Sequence, residues 1–151
     1  MIYSTLQISQ LTDSKLIGNP DILISNISFD SRNLYSISDT AFIAINTKNN
    51  SGEKYISSVV EKGVKVIISE NYYPEYKDIT WIITKNSIEF LQVLAKKHLE
   101  NSHLENTIGI TGSNGKTIVK EWLYQCLWDE FSTVKSPKSF NSQIGLPISL
   151  L

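Results

Sequence analysis

The sequence predicts an α/β fold in two units, and three observations carry that expectation. Short apolar runs alternate with helical stretches over about the first hundred residues. A polar stretch, Glu100–Asn106 (ENSHLEN), then reads as a linker. After it come a strand-like run, a glycine-rich turn and an amphipathic helix, in that order.

In the first unit, Ile22–Phe29 (ILISNISF) and Thr40–Ile45 (TAFIAI) read as strands, being short, Ile- and Phe-rich and bounded by polar residues. Glu53–Lys62 reads as a helix with Tyr55, Ile56, Val59 and Val60 on one face. Gly63 follows where a helix end favours a residue tolerant of positive φ. VKVIIS at 64–69 and TWIIT at 80–84 are buried-strand runs. Asn86 is placed to cap the next helix, with Glu89 three residues on as in a capping box. Leu91, Leu94, Ala95 and His98 then share one face at helical spacing.

In the second unit, Thr107–Thr111 reads as a short strand and about Lys116 to Asp129 as a helix. Ile118, Trp122 and Cys126 form one row at i,i+4 spacing, and Val119, Leu123 and Leu127 the next. Cys126 therefore reads as core. Phe131–Val134 is placed to begin another strand. The apolar run PISLL at the end has no cap, so a truncated protein is expected. Such a chain would hold only the opening elements of a nucleotide-binding α/β domain, which needs several strands.

Bulk properties exclude some partners. A net charge of −1 offers no broad attraction for nucleic acid or membrane. The N-terminus lacks the basic and apolar regions of a signal peptide, and no stretch reaches the ~20 apolar residues of a membrane span. A cytoplasmic monomer is expected, with no nucleic-acid partner and no membrane insertion. The single cysteine excludes an internal disulfide. His98 and His103 have no partners at metal-ligand spacing, and Tyr72, Tyr73 and Tyr76 around Pro74 read as loop packing.

The segment ITGSNGKT, Ile110 to Thr117, bears the clearest chemistry. Gly112 and Gly115 let successive N–H groups face one concavity. The following helix adds its positive end. Lys116 can reach β- and γ-phosphates, and the Thr117 hydroxyl can ligate Mg²⁺. The usual phosphate-loop pattern would place a glycine at position 110, where this chain has Ile. An incidental turn is the alternative, and the flanking strand and helix argue against it.

Arg32 is the only arginine among fourteen basic residues. Its planar fork suits a diphosphate or a flat ring in a way that Lys does not. A surface arginine in a turn is the alternative.

Four stretches together resemble the Mur ligase superfamily. IGITGSNGKTIVKEWL at 108–123 resembles its ATP loop, spelled TGxNGKT/S. SFDSR at 28–32 resembles the Asp-Ser-Arg stretch that holds the uridine diphosphate of the substrate. The segment 39–70 resembles the stretch D-x-F-x-A, D-G-H-x-F/Y-I, A-x-x-x-G-A. SFNSQIGLPISLL at 139–151 resembles N-N-x-I-G-x-P-L-T-L-L, the spelling of the members that add D-alanyl-D-alanine to UDP-N-acetylmuramoyl tripeptide. It is also similar to forms fused to an alanine racemase. The chain departs from the pattern at Glu53, where the family has His, at Ile118, often Thr, and at Ser142, where the family has Asn.

The resemblance implies a small N-terminal α/β substrate-binding domain, residues 1–104, followed by the truncated start of a P-loop α/β ATPase domain, residues 105–151. It implies ATP and Mg²⁺ as cofactors. ATP contacts carry over onto Gly112, Ser113, Asn114, Gly115, Lys116, Thr117 and Ile118, with Lys116 catalytic and Thr117 on the metal. Substrate contacts carry over onto Ser31, Arg32, Asn141 and Ser142. The implied partners are UDP-N-acetylmuramoyl tripeptide and D-alanyl-D-alanine, joined through an acyl phosphate, and these residues alone are expected to be inactive. Two alternatives stay open: a ligase of the same type adding a different amino acid, and a non-catalytic nucleotide-binding module.

Overall fold

A computed structural model describes residues 2–34, 36–102, 104, 106–137 and 142–151. Its centre is a five-stranded sheet. Four strands are parallel: β4 (Asn26–Ser28), β5 (Thr40–Ile43), β8 (Val66–Ser69) and β9 (Thr80–Ile83). β2 (Lys15–Ile17) joins β9 antiparallel at the far edge, giving the order β2-β9-β8-β5-β4. Two small antiparallel ribbons flank it. One pairs β1 (Tyr3–Ser4) with β3 (Leu23–Ile24), and the other pairs β6 (Asn46–Thr47) with β7 (Asn50–Ser51).

The strand sequences explain the layering. Parallel strands are covered on both faces and so read as continuous apolar runs. β5 and β8 are buried at every position. Alternate residues feed two cores. Ala41, Ile43, Val66, Ile68 and Ile82 face one side with Phe90, Leu91 and Leu94 of helix α3 (Ser87–Asn101) and Ile8 of helix α1 (Thr5–Leu11). Phe42, Ile67 and Trp81 face the other with Ile56 and Val59 of helix α2 (Ile56–Glu61). Burying each large aliphatic side chain contributes about 1.5–3 kcal/mol. Tyr72, Tyr73 and Tyr76 surround Trp81, with ring centroids 5.8, 5.7 and 6.3 Å away, so this tyrosine cluster packs a core residue.

Helix ends follow local chemistry. The Asn86 side chain accepts from the N–H groups of Ile88 and Glu89, both at 3.0 Å, and starts α3. At α1 the capping box is reciprocal: Ser4 Oγ accepts from the Gln7 N–H at 3.1 Å, and Gln7 Oε1 from the Ser4 N–H at 2.8 Å. Gly63 ends α2 at φ 97°, with its N–H on the Val60 carbonyl at 2.9 Å.

Several expectations are corrected. The run 22–29 is two strands, because the chain changes partner at Ser25, whose N–H turns to the Asp39 carbonyl at 2.9 Å. The helix expected from Glu53 opens as a 3-10 turn, Gly52–Tyr55, drawn in by the Gly52 N–H on the Ile45 carbonyl at 2.9 Å. Thr107–Thr111 and Phe131–Val134 are not strands. A strand needs a hydrogen-bonded neighbour, and no described segment pairs with either. Helix α4 (Lys116–Leu127) forms where expected, but no residue of it is buried: Ile118, Val119 and Trp122 are exposed, Leu123 and Leu127 are only half-buried, and Cys126 is exposed rather than core. The final apolar run forms helix α5 (Gly145–Leu150), which lies on α3. Ile144, Ile148 and Leu151 pack against the first core. No helix among the described residues is long and apolar enough to cross a membrane.

Candidate functional site

Ligands of open α/β sheets bind beyond the carboxyl ends of the parallel strands. Asp30, Ser31 and Arg32 lie there, in the loop after β4. That loop must carry the chain back to the start of the parallel strand β5, and among the described residues it does so with only a short 3-10 turn, Ile37–Asp39, and no α-helix. The Arg32 guanidinium donates through Nε to Asp30 Oδ1 at 2.9 Å and through Nη2 to Asp30 Oδ2 at 2.9 Å. The Arg32 N–H also donates to Asp30 Oδ1, at 3.0 Å. These hydrogen bonds hold the Asp30 carboxyl down at about 2. The Arg32 side chain remains 86% exposed. Among the described residues two of its five side-chain donors are used, both by Asp30.

Ser31 is buried, and its carbonyl accepts from Lys62 Nζ at 2.5 Å. A cleft of about 270 Å³ borders the loop, lined by Ser28, Phe29, Asp30, Asn33, Thr40 and Ile148 among others. Lys62 was not singled out in the sequence. It lies one residue before Gly63, and nothing local marks it.

A polar network sits beyond the ends of β5 and β8. Glu70 Oε1 accepts from the Ser87 N–H and the Ser87 hydroxyl, both at 2.8 Å, and Glu70 Oε2 from Asn46 Nδ2 at 3.0 Å. Burial pushes the Glu70 carboxyl up, but the Asn46 and Ser87 hydrogen bonds outweigh it, and it is lowered overall. Glu53 accepts from Asn71 Nδ2 at 3.0 and 3.1 Å and from the Tyr73 hydroxyl at 2.9 Å.

The glycine loop stands apart from these groups. Among the described residues no hydrogen bond or ion pair joins residues 112–118 to Ser31 or Arg32. Gly112 takes φ 148° and Gly115 φ 76°, conformations that favour glycine. Gly115 caps α4 without any side-chain hydrogen bond. The first-turn N–H groups therefore have no side-chain cap and are left for an anion. Nothing lies within 4 Å of a Cβ built on Gly115, so the concavity has room. Lys116 Nζ folds back onto the Gly112 carbonyl and lies 3.4 Å from that of Ser113. It is thus held against the loop by the loop's own carbonyls. Ser113, Asn114, Thr117 and Ile118 are exposed around it. The donor set fits a nucleotide phosphate: free N–H groups, one ammonium and, for a hard divalent cation, the Thr117 hydroxyl. No group of three His, Cys, Asp or Glu poised for a metal occurs among the described residues.

Asn141 lies outside the described residues. Ser142 is taken up locally: its hydroxyl accepts from the Gly145 N–H at 2.8 Å at the start of α5.

Known proteins resemble the chain over most of its length. It is 32% identical over 152 residues to the UDP-N-acetylmuramoyl-tripeptide–D-alanyl-D-alanine ligase of Borreliella burgdorferi, covering 92% of this chain and 32% of that one. It is 42% identical over 106 residues to the UDP-N-acetylmuramoyl-L-alanyl-D-glutamate–2,6-diaminopimelate ligase of Clostridium tetani, covering 68% of this chain and 21% of that one. Among solved structures, the UDP-N-acetylmuramoylalanyl-D-glutamyl-2,6-diaminopimelate–D-alanyl-D-alanyl ligase of Acinetobacter baumannii superposes with a TM-score of 0.88 at 27% identity, over 99% of this chain and 33% of that chain. The MurF ligase of Thermotoga maritima in complex with ADP superposes with a TM-score of 0.69 at 29% identity, over 83% of this chain and 28% of that chain. No family model matches. The chain spans about a third of the length of the D-alanyl-D-alanine ligases it matches.

Proposed function

The chain belongs to the Mur ligase superfamily, and from that premise we propose that it is the nucleotide-substrate and ATP-loop portion of a cytoplasmic ligase that adds D-alanyl-D-alanine to UDP-N-acetylmuramoyl tripeptide. Residues 1–104 would hold the UDP-linked substrate, through Ser31 and Arg32. Residues 105–151 would begin the ATP-binding unit, with Asn141 and Ser142 at the substrate side.

One observation carries this reading. The loop from Gly112 to Thr117 combines two left-handed glycines, a helix start with no side-chain cap and a lysine folded onto the loop carbonyls. In the proposed reaction a carboxylate oxygen of the tripeptide takes the γ-phosphoryl group of ATP, and ADP leaves. The amine of D-alanyl-D-alanine then attacks the carbonyl carbon of the acyl phosphate, loses a proton and expels phosphate. The loop N–H groups orient the phosphates, and Lys116 exchanges its carbonyl partners for phosphate oxygens to offset developing charge. Mg²⁺, bound at Thr117, would neutralise phosphate charge. These residues by themselves would bind nucleotide and substrate without turnover.

A second reading rests on the similarity to the diaminopimelate ligase: the same loops could serve a ligase adding a different amino acid. Titrating Mg·ATP into wild-type chain and Lys116→Ala tests the loop. Binding lost in the variant supports a phosphate site, and binding equal in both would leave the loop an ordinary turn.

A further inference from the structure

The only arginine in the chain is not where the net charge of its loop resides. Asp30 spans Arg32 with both carboxylate oxygens and stays ionised down to about pH 2. At neutral pH the two side chains sum to zero. A dianionic diphosphate approaching this loop meets a hydrogen-bonding fork whose charge is already offset.

Lys62 stands differently. Its ammonium reaches across from the end of α2 to the Ser31 carbonyl, at 2.5 Å. That partner is neutral. Among the described residues no carboxylate lies within ion-pair distance of Lys62 Nζ. An ammonium has three donors, so two are left for another acceptor. Its field reaches Asp30, which places the charge on the Asp30–Arg32 loop.

We propose that Lys62 is a further binding residue of the candidate UDP site: it supplies the site's uncompensated positive charge to a phosphate oxygen of a nucleoside diphosphate, while its hydrogen bond to the Ser31 carbonyl fixes the loop that presents Arg32. This rests on the reading of the Asp30–Arg32 loop as the UDP-substrate site. The two basic residues then divide the work. Arg32 gives directional donors, and Lys62 gives net charge.

The experiment titrates UDP into the chain by calorimetry at several salt concentrations, with Lys62→Met, Lys62→Arg and Arg32→Lys beside wild type. Methionine keeps an unbranched stem, and unfolding curves of each variant establish that it is folded. Lys62→Met is expected to weaken UDP roughly tenfold or more, the scale of one charge-assisted hydrogen bond. It should also flatten the salt dependence, because one screened charge is gone. Lys62→Arg should restore both. Wild-type affinity and salt dependence in Lys62→Met, with binding weakened in Arg32→Lys, overturns the role of Lys62 alone. Weakened binding in Lys62→Met with an unchanged salt dependence leaves Lys62 a loop tether and overturns its charge role. No UDP binding by wild type overturns the site reading and this inference with it.

Discussion

The Tyr73 hydroxyl donates to Glu53 Oε2 at 2.9 Å, and the Asn71 amide reaches both oxygens of the same carboxylate. Glu53 occupies the position where the superfamily pattern has His. Here it ties the turn before α2 to the segment after β8. The departure from the family pattern at Glu53 is a structural tie between two loops.

Burial first, and then the hydrogen bond to Glu53, push the Tyr73 phenol up to about 12. A group raised in the folded state stabilises below its unfolded value and loses that contribution as pH climbs through the folded value. The window is therefore pH 10 to about 12. Ultraviolet titration of tyrosinate should show a late-ionising component, and Tyr73→Phe should remove the contribution of Tyr73 to it. A late-ionising amplitude unchanged in Tyr73→Phe would contradict the assignment.

For Asp30 the sign is opposite. Its hydrogen bonds with Arg32 lower the carboxyl from 3.8 to about 2, so any stabilisation is present above the upper value and fades as pH falls toward the lower one. Asp30→Asn leaves the Arg32 charge unopposed. UDP binding should then tighten, with a steeper salt dependence. Weaker binding would show instead that Asp30 is needed to aim Arg32.

Gly52 is buried where two segments touch. A Cβ there would lie 2.6 Å from the Ile45 nitrogen and 2.9 Å from the Ala44 carbonyl carbon. Both are backbone atoms that cannot rotate away. Gly52→Ala should cost about 1–3 kcal/mol, the range for overpacked sites, read as a lower urea midpoint.

Ser87 is fully buried and links three elements. Its hydroxyl donates to Glu70 Oε1 at 2.8 Å and accepts from the Asn46 N–H at 3.0 Å. Ser87→Ala strips a partner from each. The expected loss is about 1–3 kcal/mol, the usual cost of an unsatisfied buried group. A change within about 0.5 kcal/mol would mean that water replaces the hydroxyl.

Much of the fold was legible because its signals are local. Asn86 before an apolar period announced α3, and Gly63 announced the end of α2. Ile-rich runs announced β5, β8 and β9. What failed depended on partners far away in sequence. ILISNISF looks like one strand, and only the pull of Asp39 on Ser25 divides it. TIGIT has strand composition but no described neighbour to pair with. Cys126 sits in an apolar row that no described element covers, so periodicity alone placed it in a core that it does not enter. At the site, Gly112, Gly115 and Lys116 could be read from spacing. The contact of Lys62 with Ser31 could not, because only the fold brings the two together across thirty-one positions.

The most direct test of the account is a calorimetric titration of UDP-N-acetylmuramoyl tripeptide into the chain, with Arg32→Lys alongside. The account predicts saturable binding by wild type and weaker binding by the variant, because lysine lacks the fork that serves Asp30 and a phosphate together. Absence of binding by wild type, or equal binding by both, would contradict it.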